Sequence, residues 1–358
     1  MANYRYLLGN LLTGDIAAEL PFTSATFSHV LNAPGAFTGT MSLQQPDELS
    51  TIIRDSLTLG VSTIYVERDG VLLWGGILWT DSVDFDALTY TLNGEGWHSY
   101  FRRRNITADV TYTATEQVTI AKGLLDTAQL AAGGDIGIET GTVVATGVTR
   151  DRTYLATDRK SVGEALEELA AVDNGFDFRY VTDRNTSGDI EVSFVTSYPA
   201  SGYETDLVFE LGVQLSQAQA TRDASNLATN VDVIGAIADG ESAPRTATVS
   251  DATRYATMPR YDVVVSATDV TESGTLTAKG DRALSRGSAP VEIPSISTDP
   301  AREPVIGSWK VGDIVNVRAD VGLRTINTDY RVTEWAVTVG SAGDEVAALT
   351  FANVEVFE

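Results

Sequence analysis

Runs of β-branched and aromatic residues, broken by turn residues, recur along most of this chain and constrain its fold more than any other feature. The clearest pair covers residues 64–68 and 71–79, which are separated by Asp69-Gly70. An Asp-Gly dipeptide supplies the positive φ angles of a tight turn, so these runs predict a β-hairpin. Gly75-Gly76 inside the second run predicts a bulge, a bend or a close backbone approach.

The hydrophobic period changes to that of a helix in the middle of the chain. Apolar residues at helical spacing predict a helix at about residues 115–130. A second helix is predicted at 161–173, because Ser161 and Glu164 form a capping box and Gly175 supplies a left-handed stop. Helices and strands mixed in one segment are typical of a small α+β domain.

Strands predominate again after the second helix. The predicted strands are residues 176–180, 190–194, 231–234, 262–265, 314–317, 330–339 and 347–356. A helical pattern covers residues 273–286 despite Gly280. Four prolines between residues 289 and 304 predict an extended, irregular surface connector there.

The predicted fold class is mainly β with an α+β insertion, in a multidomain chain. Residues 1–105 are expected to form an N-terminal β-barrel-like domain, and residues 106–225 an α+β region with two helices and a hairpin. The last strand of that region, around 209–215, returns to the first domain in this interpretation. Residues 226–358 are expected to form a C-terminal β-rich domain that packs near the first one.

Charge and composition exclude several function classes. The 358 residues include 25 Lys and Arg against 49 Asp and Glu, for a net charge of −24, and no Cys. Without cysteine the chain has no disulfide, thiolate metal site, iron–sulfur cluster or cysteine nucleophile. Specific nucleic-acid binding is not expected, because affinity for phosphate comes mainly from clustered Lys and Arg. No run of about 18 apolar residues or secretory leader is apparent, so no membrane partner is expected.

Known catalytic and cofactor motifs are missing from the sequence. The two histidines, His29 and His98, lie in different segments without metal-site spacing, and each is interpreted as a surface or packing residue. There is no nucleophile elbow, P-loop or dinucleotide fingerprint, so no cofactor is expected. The chain is therefore predicted not to be an enzyme.

Carboxylates keep one enzymatic alternative open. A glycosidase needs only two facing carboxyl groups, which sequence does not exclude, and the Trp and Tyr content suits carbohydrate binding. The carboxylates of the second helix are interpreted instead as a solvated face; they are Glu164, Glu167 and Glu168. A further acidic group is interpreted as a turn; its members are Asp81, Asp84 and Asp86.

One basic run stands out in this acidic chain. Arg102, Arg103 and Arg104 follow an aromatic cluster that begins at Trp97. Arg and aromatic residues are favoured in interfaces, so these three are the candidate subunit-interface residues, paired with carboxylates of an acidic neighbour. A plain surface loop remains the alternative.

Several phrases of the sequence resemble those of a known family. They are residues 20–22 with 31–35 and 39–41, 73–79 (LWGGILW), 92–104 (LNGEGWHSYFRRR), 161–162 with 175–177, 228–231 and 312–313. Taken in this order along the chain, these phrases resemble those of the tail hub, or minor tail protein, of long-tailed bacteriophages, especially those infecting actinobacteria.

The resemblance implies a structural virion protein at the tail tip, made in the host cytoplasm. It implies β-barrel domains with smaller α+β insertions, and a homotrimeric ring around a DNA passage. The implied partners are the distal tail ring protein, the tape measure protein and other tail-tip, fibre or spike proteins. No catalytic, cofactor or metal residue carries over. A hexameric distal tail protein remains a further alternative in the same virion class.

Overall fold

The computed structural model describes residues 2–141, 143–172, 174–198, 203–238, 240, 242–267, 270–298 and 302–353. The helices are α1 (Asp47–Ser56), α2 (His98–Phe101), α3 (Gln117–Leu130), α4 (Val162–Ala171) and α5 (Ser273–Arg286). The strands are β1 (Tyr4–Asn10), β2 (Ile16–Glu19), β3 (Ser24–Val30), β4 (Ala36–Ser42), β5 (Ser62–Arg68), β6 (Val71–Asp84), β7 (Thr89–Gly96), β8 (Val110–Glu116), β9 (Ile138–Glu139), β10 (Thr149–Tyr154), β11 (Asp177–Arg184), β12 (Ile190–Ser197), β13 (Tyr203–Glu210), β14 (Leu215–Asp223), β15 (Asn230–Gly235), β16 (Thr246–Ser250), β17 (Asp262–Ala267), β18 (Val291–Thr298), β19 (Asp313–Asp320), β20 (Thr325–Val339) and β21 (Glu345–Asn353). None of the described helices combines the length and apolar character needed to cross a bilayer.

Contacts divide the chain into two compact units. The first comprises residues 1–218 and 295–358, and the second comprises residues 219–294. The three domains predicted from the sequence stay a prediction. Within the first unit, however, residues from both ends of the chain are held together in one body, as the strand pairings explain.

The hairpin predicted around Asp69-Gly70 is confirmed. Strands β5 and β6 pair antiparallel across this dipeptide, whose φ angles are 51° and 88°. The register shift in this pair leaves Leu73 as the extra residue of a bulge, just before the two glycines. Gly75 permits a close approach, since a Cβ there would lie 2.9 Å from the Thr182 hydroxyl oxygen. A larger residue would therefore push β11 away from β6.

One large sheet organises the first unit, with 13 strands in the part of the chain that the structure describes. Its main path runs β14-β18-β21-β20-β3-β4-β7-β6-β5-β1-β2, with β19 beside β20 and β13 beside β19. The long strand β20 makes the path continuous, because its first half pairs with β19 and its second half with β3. The expectation that the two ends of the chain pack together is confirmed for residues 295–353.

The sheet closes around an aromatic core. Trp74, Trp309, Phe27 and Phe209 are all fully buried in one cluster. On β21, Glu345 accepts hydrogen bonds from the Tyr4 hydroxyl of β1 and from Arg68 of β5, with Arg68 nitrogens at 2.7 and 3.0 Å. Because β1 and β5 are far from β21 in the strand order, these bonds bend the sheet into a barrel-like form.

The two predicted helices and the predicted hairpin are confirmed between β8 and β12, and they share a core cluster with strands of residues 1–105. Helix α3 begins after Glu116, whose side chain accepts from the Thr119 amide, and α4 begins after Ser161, which caps the Glu164 amide at 3.1 Å. Strands β11 and β12 form the predicted antiparallel pair. Apolar residues of both helices and of this pair fill the second core cluster of the unit.

The end of α4 differs from the prediction. Asn174, with φ of 57°, and not Gly175 takes the left-handed conformation. Gly175 is needed for space, because a Cβ there would lie 2.1 Å from the Ala170 carbonyl oxygen. Asn tolerates the left-handed region because its short side chain can form local hydrogen bonds.

The prediction of a connector over residues 289–304 is wrong in its first half. Strand β18 occupies residues 291–298, and its described pairing with β21 begins at Ser295, directly after Pro294. Strand β18 also lies beside β14, so Pro294 is inside a paired strand, where its missing N–H leaves one ladder position without a donor. Residues 299–301, including the predicted Pro300, lie outside the described residues.

The second unit has a small sheet covered by one helix. Strand β15 lies between β16, which is antiparallel to it, and β17, which is parallel. The predicted helix at 273–286 is confirmed as α5, and Leu276 packs on Val231 and Val233 in the core of this unit. Gly280 lets the helix approach the sheet, since a Cβ there would lie 2.6 Å from a Val249 methyl.

The other strand predictions are confirmed as well. Those at 231–234, 262–265, 314–317 and 330–339 correspond to β15, β17, β19 and β20. The strand predicted at 347–356 corresponds to β21, and residues 354–356 lie outside the described residues. The strand expected around 209–215 is split between β13 and β14, and β13 lies beside β19 and not beside a strand of residues 1–105.

Candidate functional site

The arginine run follows the one-turn helix α2, where β7 leaves the sheet. Arg102 Nε donates to Glu167 Oε1 of α4 at 2.7 Å. The Arg103 guanidinium lies 3.7 Å above the Trp79 ring, and its Nη1 donates to the Ser99 carbonyl at 3.0 Å. Both side chains keep an exposed fraction, 42% for Arg102 and 47% for Arg103. Each therefore combines an intrachain contact with a surface that remains accessible.

Arg104 points into the molecule. Its Nη1 donates to the Tyr100 hydroxyl and its Nη2 to the Ala128 carbonyl, each at 3.1 Å. Ala128 lies in the last turn of α3, where carbonyl groups lack an intrahelical donor and favour a cation. Arg104 therefore has a structural role within the α+β region, and the three arginines differ in function.

A buried histidine lies beside this run. His98 is fully buried, with Nε2 2.8 Å from Glu167 Oε1 and Nδ1 3.1 Å from the Tyr180 hydroxyl. Burial lowers the pKa of His98, so the ring is neutral near pH 7. The Glu167 carboxylate only accepts, so Nε2 carries the proton and Nδ1 accepts from Tyr180. The interpretation of His98 as a packing residue is confirmed.

Glu167 was missed by the sequence analysis. Burial by itself raises the pKa of Glu167, but the hydrogen bonds from His98 and Arg102 outweigh it and hold that pKa at about 2. The expected solvated face is therefore correct for Glu164 and Glu168, which are exposed, and wrong for Glu167. No local signal could have revealed this, because its partners, His98 of α2 and Arg102 directly after it, are more than 60 residues from Glu167 in sequence.

A second buried polar cluster ties the barrel to the α+β region. Asn32, in the turn between β3 and β4, donates from Nδ2 to Asp177 Oδ1 at 2.9 Å. Its Oδ1 accepts from the Phe178 amide at 2.7 Å. Asp177 also pairs with Arg331 of β20, and burial lowers the pKa of Arg331 to about 10. Three distant segments of the sequence are thereby fixed to one another.

The remaining candidate groups show no catalytic geometry. Asp84 Oδ1 accepts from the amides of Asp86 and Ala87, as expected for an acidic turn. Asp81 instead lies within strand β6 and accepts from the Tyr90 hydroxyl of β7. Within the described residues, no three His, Asp or Glu side chains gather as metal ligands would.

The tryptophans offer no open stacking face. Trp74, Trp97, Trp309 and Trp335 are at most 5% exposed, and Trp79 lies beneath Arg103. Sugar-binding sites of the stacking type need an exposed aromatic face, which these five residues do not present.

Comparison with known proteins identifies solved structures with a similar fold. No protein-family model and no curated protein matches the sequence. The 43 kDa tail protein of prophage MuSo2 from Shewanella oneidensis superposes with a TM-score of 0.66 at 14% identity, covering 99% of this chain and 100% of that one. The tail protein from Neisseria meningitidis MC58 gives 0.61 at 12% identity, covering 99% and 98%.

A secretion-system protein is similar as well. The c3393 protein of E. coli, a type VI secretion component with structural similarity to the T4 bacteriophage tail proteins gp27 and gp5, gives a TM-score of 0.51 at 11% identity. The match covers 92% of this chain and 73% of that one. The chain thus has a phage tail fold of the baseplate-hub type, mainly β with an α+β insertion, as the sequence predicted.

Proposed function

We propose that this chain is a structural virion protein that forms a trimeric hub ring at the tail tip. The observation that carries the proposal is the full-length match, since phage tail proteins superpose on 99% of this chain and are themselves covered over at least 98% of their length. The phrases around Trp74 and Trp97 that resemble tail hubs agree with it. The actinobacterial, long-tailed host type rests on those phrases alone.

In this proposal the ring surrounds the DNA passage and connects the distal tail ring to tip, fibre or spike proteins. The tape measure protein is a further neighbour. The net charge of −24 suits such a passage, because like charge lowers adhesion to phosphate. No catalytic step is assigned, and the chain works through its interfaces.

Arg102 and Arg103 are proposed as the subunit-contact residues. Their guanidinium groups are held by Glu167 and Trp79 but keep 42% and 47% exposure, so a neighbour's carboxylate can still reach them. Arg104 is removed from this proposal, because its guanidinium is directed to Tyr100 and the end of α3.

The carbohydrate-binding or carbohydrate-cleaving alternative receives no support from the site. Its motivation was the Trp and Tyr content and the free carboxylates. All five Trp side chains are buried or covered, and Glu167 is held in an ionised state by a His and an Arg.

The decisive experiment is the native mass of the purified protein and of the tail assembly that contains it. A threefold complex is the expected result. A sixfold complex would favour the distal tail protein alternative, and a stable monomer without affinity for any tail protein would refute the proposal. An image of the particle with this chain located would then test its position at the tip.

A further inference from the structure

An open groove lies between α1 and the projecting part of the β6–β7 hairpin. Its volume is about 490 Å³, and its lining combines apolar side chains with polar ones. Ile53 and Met41 form its buried floor, and Val83, which is 41% exposed, forms part of its rim. Met41 lies opposite Tyr90, which lies opposite Val83, so these three share one face of the sheet. The groove therefore lies on the same face of the sheet whose side chains elsewhere pack in the core.

The strand that borders the groove has an unpaired edge. Strand β6 pairs with β7 as far as Asp84, but its pairing with β5 stops at Ile77. Among the described residues, no strand pairs with residues 80–84 on the side away from β7. In an antiparallel strand alternate residues direct N–H and C=O groups outward, so this edge can receive a further strand.

The surroundings of the groove are acidic. Asp81 and Arg54 line it, and the Asp81 side chain is on the same face as Val83 because side chains alternate along a strand. The flanking segments 47–55 and 81–86 carry six carboxylates and a single cation; they are Asp47, Glu48, Asp55, Asp81, Asp84, Asp86 and Arg54. All of these side chains are exposed. A bound segment with Lys or Arg beside its apolar residues would be complementary in charge.

We propose that this groove binds an extended segment of a neighbouring protein, in which apolar residues alternate with Lys or Arg. The segment adds to the free edge of β6, its apolar side chains enter the groove beside Val83, and its cations meet the acidic rim. The inference rests on the proposed function only in taking the neighbour to be another tail protein.

An extended partner is preferred to a helical one because the free strand edge supplies main-chain hydrogen bonds that a helix cannot use. Charge attraction alone does not describe such binding, because the free edge of β6 also offers main-chain hydrogen bonds to the bound segment. Exposed charges on an edge can also serve to prevent unwanted strand pairing. The test must therefore separate specific strand addition from charge attraction and from edge protection.

The probe is a fluorescein-labelled eight-residue peptide of alternating Val and Lys, measured by fluorescence anisotropy with the whole chain at physiological salt. We expect saturable binding. Val83→Arg should weaken it about tenfold by placing a charged side chain where the Val side chains of the peptide enter the groove. Val71→Arg, at an exposed Val in the part of the same strand that pairs with β5, adds the same charge away from the groove and should change the affinity less than about twofold. Near-UV circular dichroism confirms that both variants are folded.

A second probe tests the strand edge. The same peptide N-methylated on alternate residues keeps its charge but loses outward amide donors, and it should bind about tenfold more weakly. Failure of the unmodified peptide to bind, equal weakening by Val83→Arg and Val71→Arg, or equal binding of the N-methylated probe would each overturn the inference. Loss of the native oligomer in Val83→Arg would overturn it too, by showing that a second copy fills the groove. The native mass of the unmodified chain tests the hub proposal separately.

Discussion

His98 illustrates how one buried side chain joins two parts of the fold. Its ring nitrogens contact Glu167 of α4 and Tyr180 of β11, and the imidazole is neutral in the folded protein. Removal of the ring leaves the buried Tyr180 hydroxyl without its hydrogen bond, whereas Glu167 keeps the one from Arg102. We expect His98→Ala to lower the free energy of unfolding by about 2 kcal/mol, measured by urea unfolding with Trp fluorescence.

The same residue makes stability depend on pH. The unfolded chain protonates His98 near its ordinary pKa of 6.5, whereas burial lowers the pKa in the folded state, so acidification below about pH 6.5 favours unfolding. His98→Gln should therefore show a smaller loss of stability than the unsubstituted protein between about pH 7.5 and pH 5.5. Part of the loss should persist, because burial also lowers the pKa of His29, to about 4. An identical pH dependence in both proteins would contradict this assignment.

Arg103 tests the proposed subunit contact. Arg103→Ala loses the contact with Trp79, which is worth only about 1 kcal/mol at an exposed site, so the variant should fold. If Arg103 pairs with a neighbour's carboxylate, the concentration at which the oligomer dissociates should rise about tenfold in analytical ultracentrifugation. Arg159→Ala, at an exposed arginine of another loop, is the control and should leave the oligomer unchanged.

At the scale of elements, the end of α4 has two residues with separate roles. Gly175→Ala places a Cβ against the Ala170 carbonyl oxygen and should destabilise the first unit by about 2 kcal/mol. Asn174→Gly relieves a left-handed Asn and should leave stability unchanged or slightly raised. Thermal unfolding of the two variants side by side measures the difference. Equal effects would contradict the division of roles.

Local elements were predictable because their signals are local. The Asp69-Gly70 turn, the Ser161 cap and the apolar stripe of α5 each lie within a few residues of the element they define. Strand β18 was missed because Pro294 argues against a strand, and only its position between β14 and β21 in the sheet shows that a strand forms there.

Contacts between distant segments could not be predicted in the same way. Asp177 meets Asn32 and Arg331, and Glu167 meets His98, across separations that no periodic pattern encodes. The basic run was identified as unusual from sequence, but the inward direction of Arg104 follows from the end of α3, which only the tertiary structure brings near. Sequence therefore supplied the residues, and packing determined their roles.

At the scale of the whole molecule, the acidic charge predicts weak interaction with DNA. The chain has 25 basic residues against 49 acidic ones, so few phosphates can be neutralised. We expect no retardation of double-stranded DNA in a gel at low salt, about 50 mM. In an image of the assembled ring, Arg102 and Arg103 should lie away from the axis. A lumen lined by arginine side chains, or tight DNA binding, would contradict the proposal that DNA passes through the ring without adhering to it.

Strand β3 pairs with β20, which lies near the end of the chain. The largest sheet therefore cannot be completed until almost the whole chain has been synthesised. Phe27 emerges from the ribosome early, but its partner Val337 follows about 300 residues later. At ordinary translation rates that interval is roughly 15–60 s, during which the edge of β3 has no native partner on this side. A nascent or truncated chain would expose an unpaired, aggregation-prone strand edge throughout that time. Reliable production of this protein in a crowded host thus requires a means of shielding the early barrel strands until the last ones arrive.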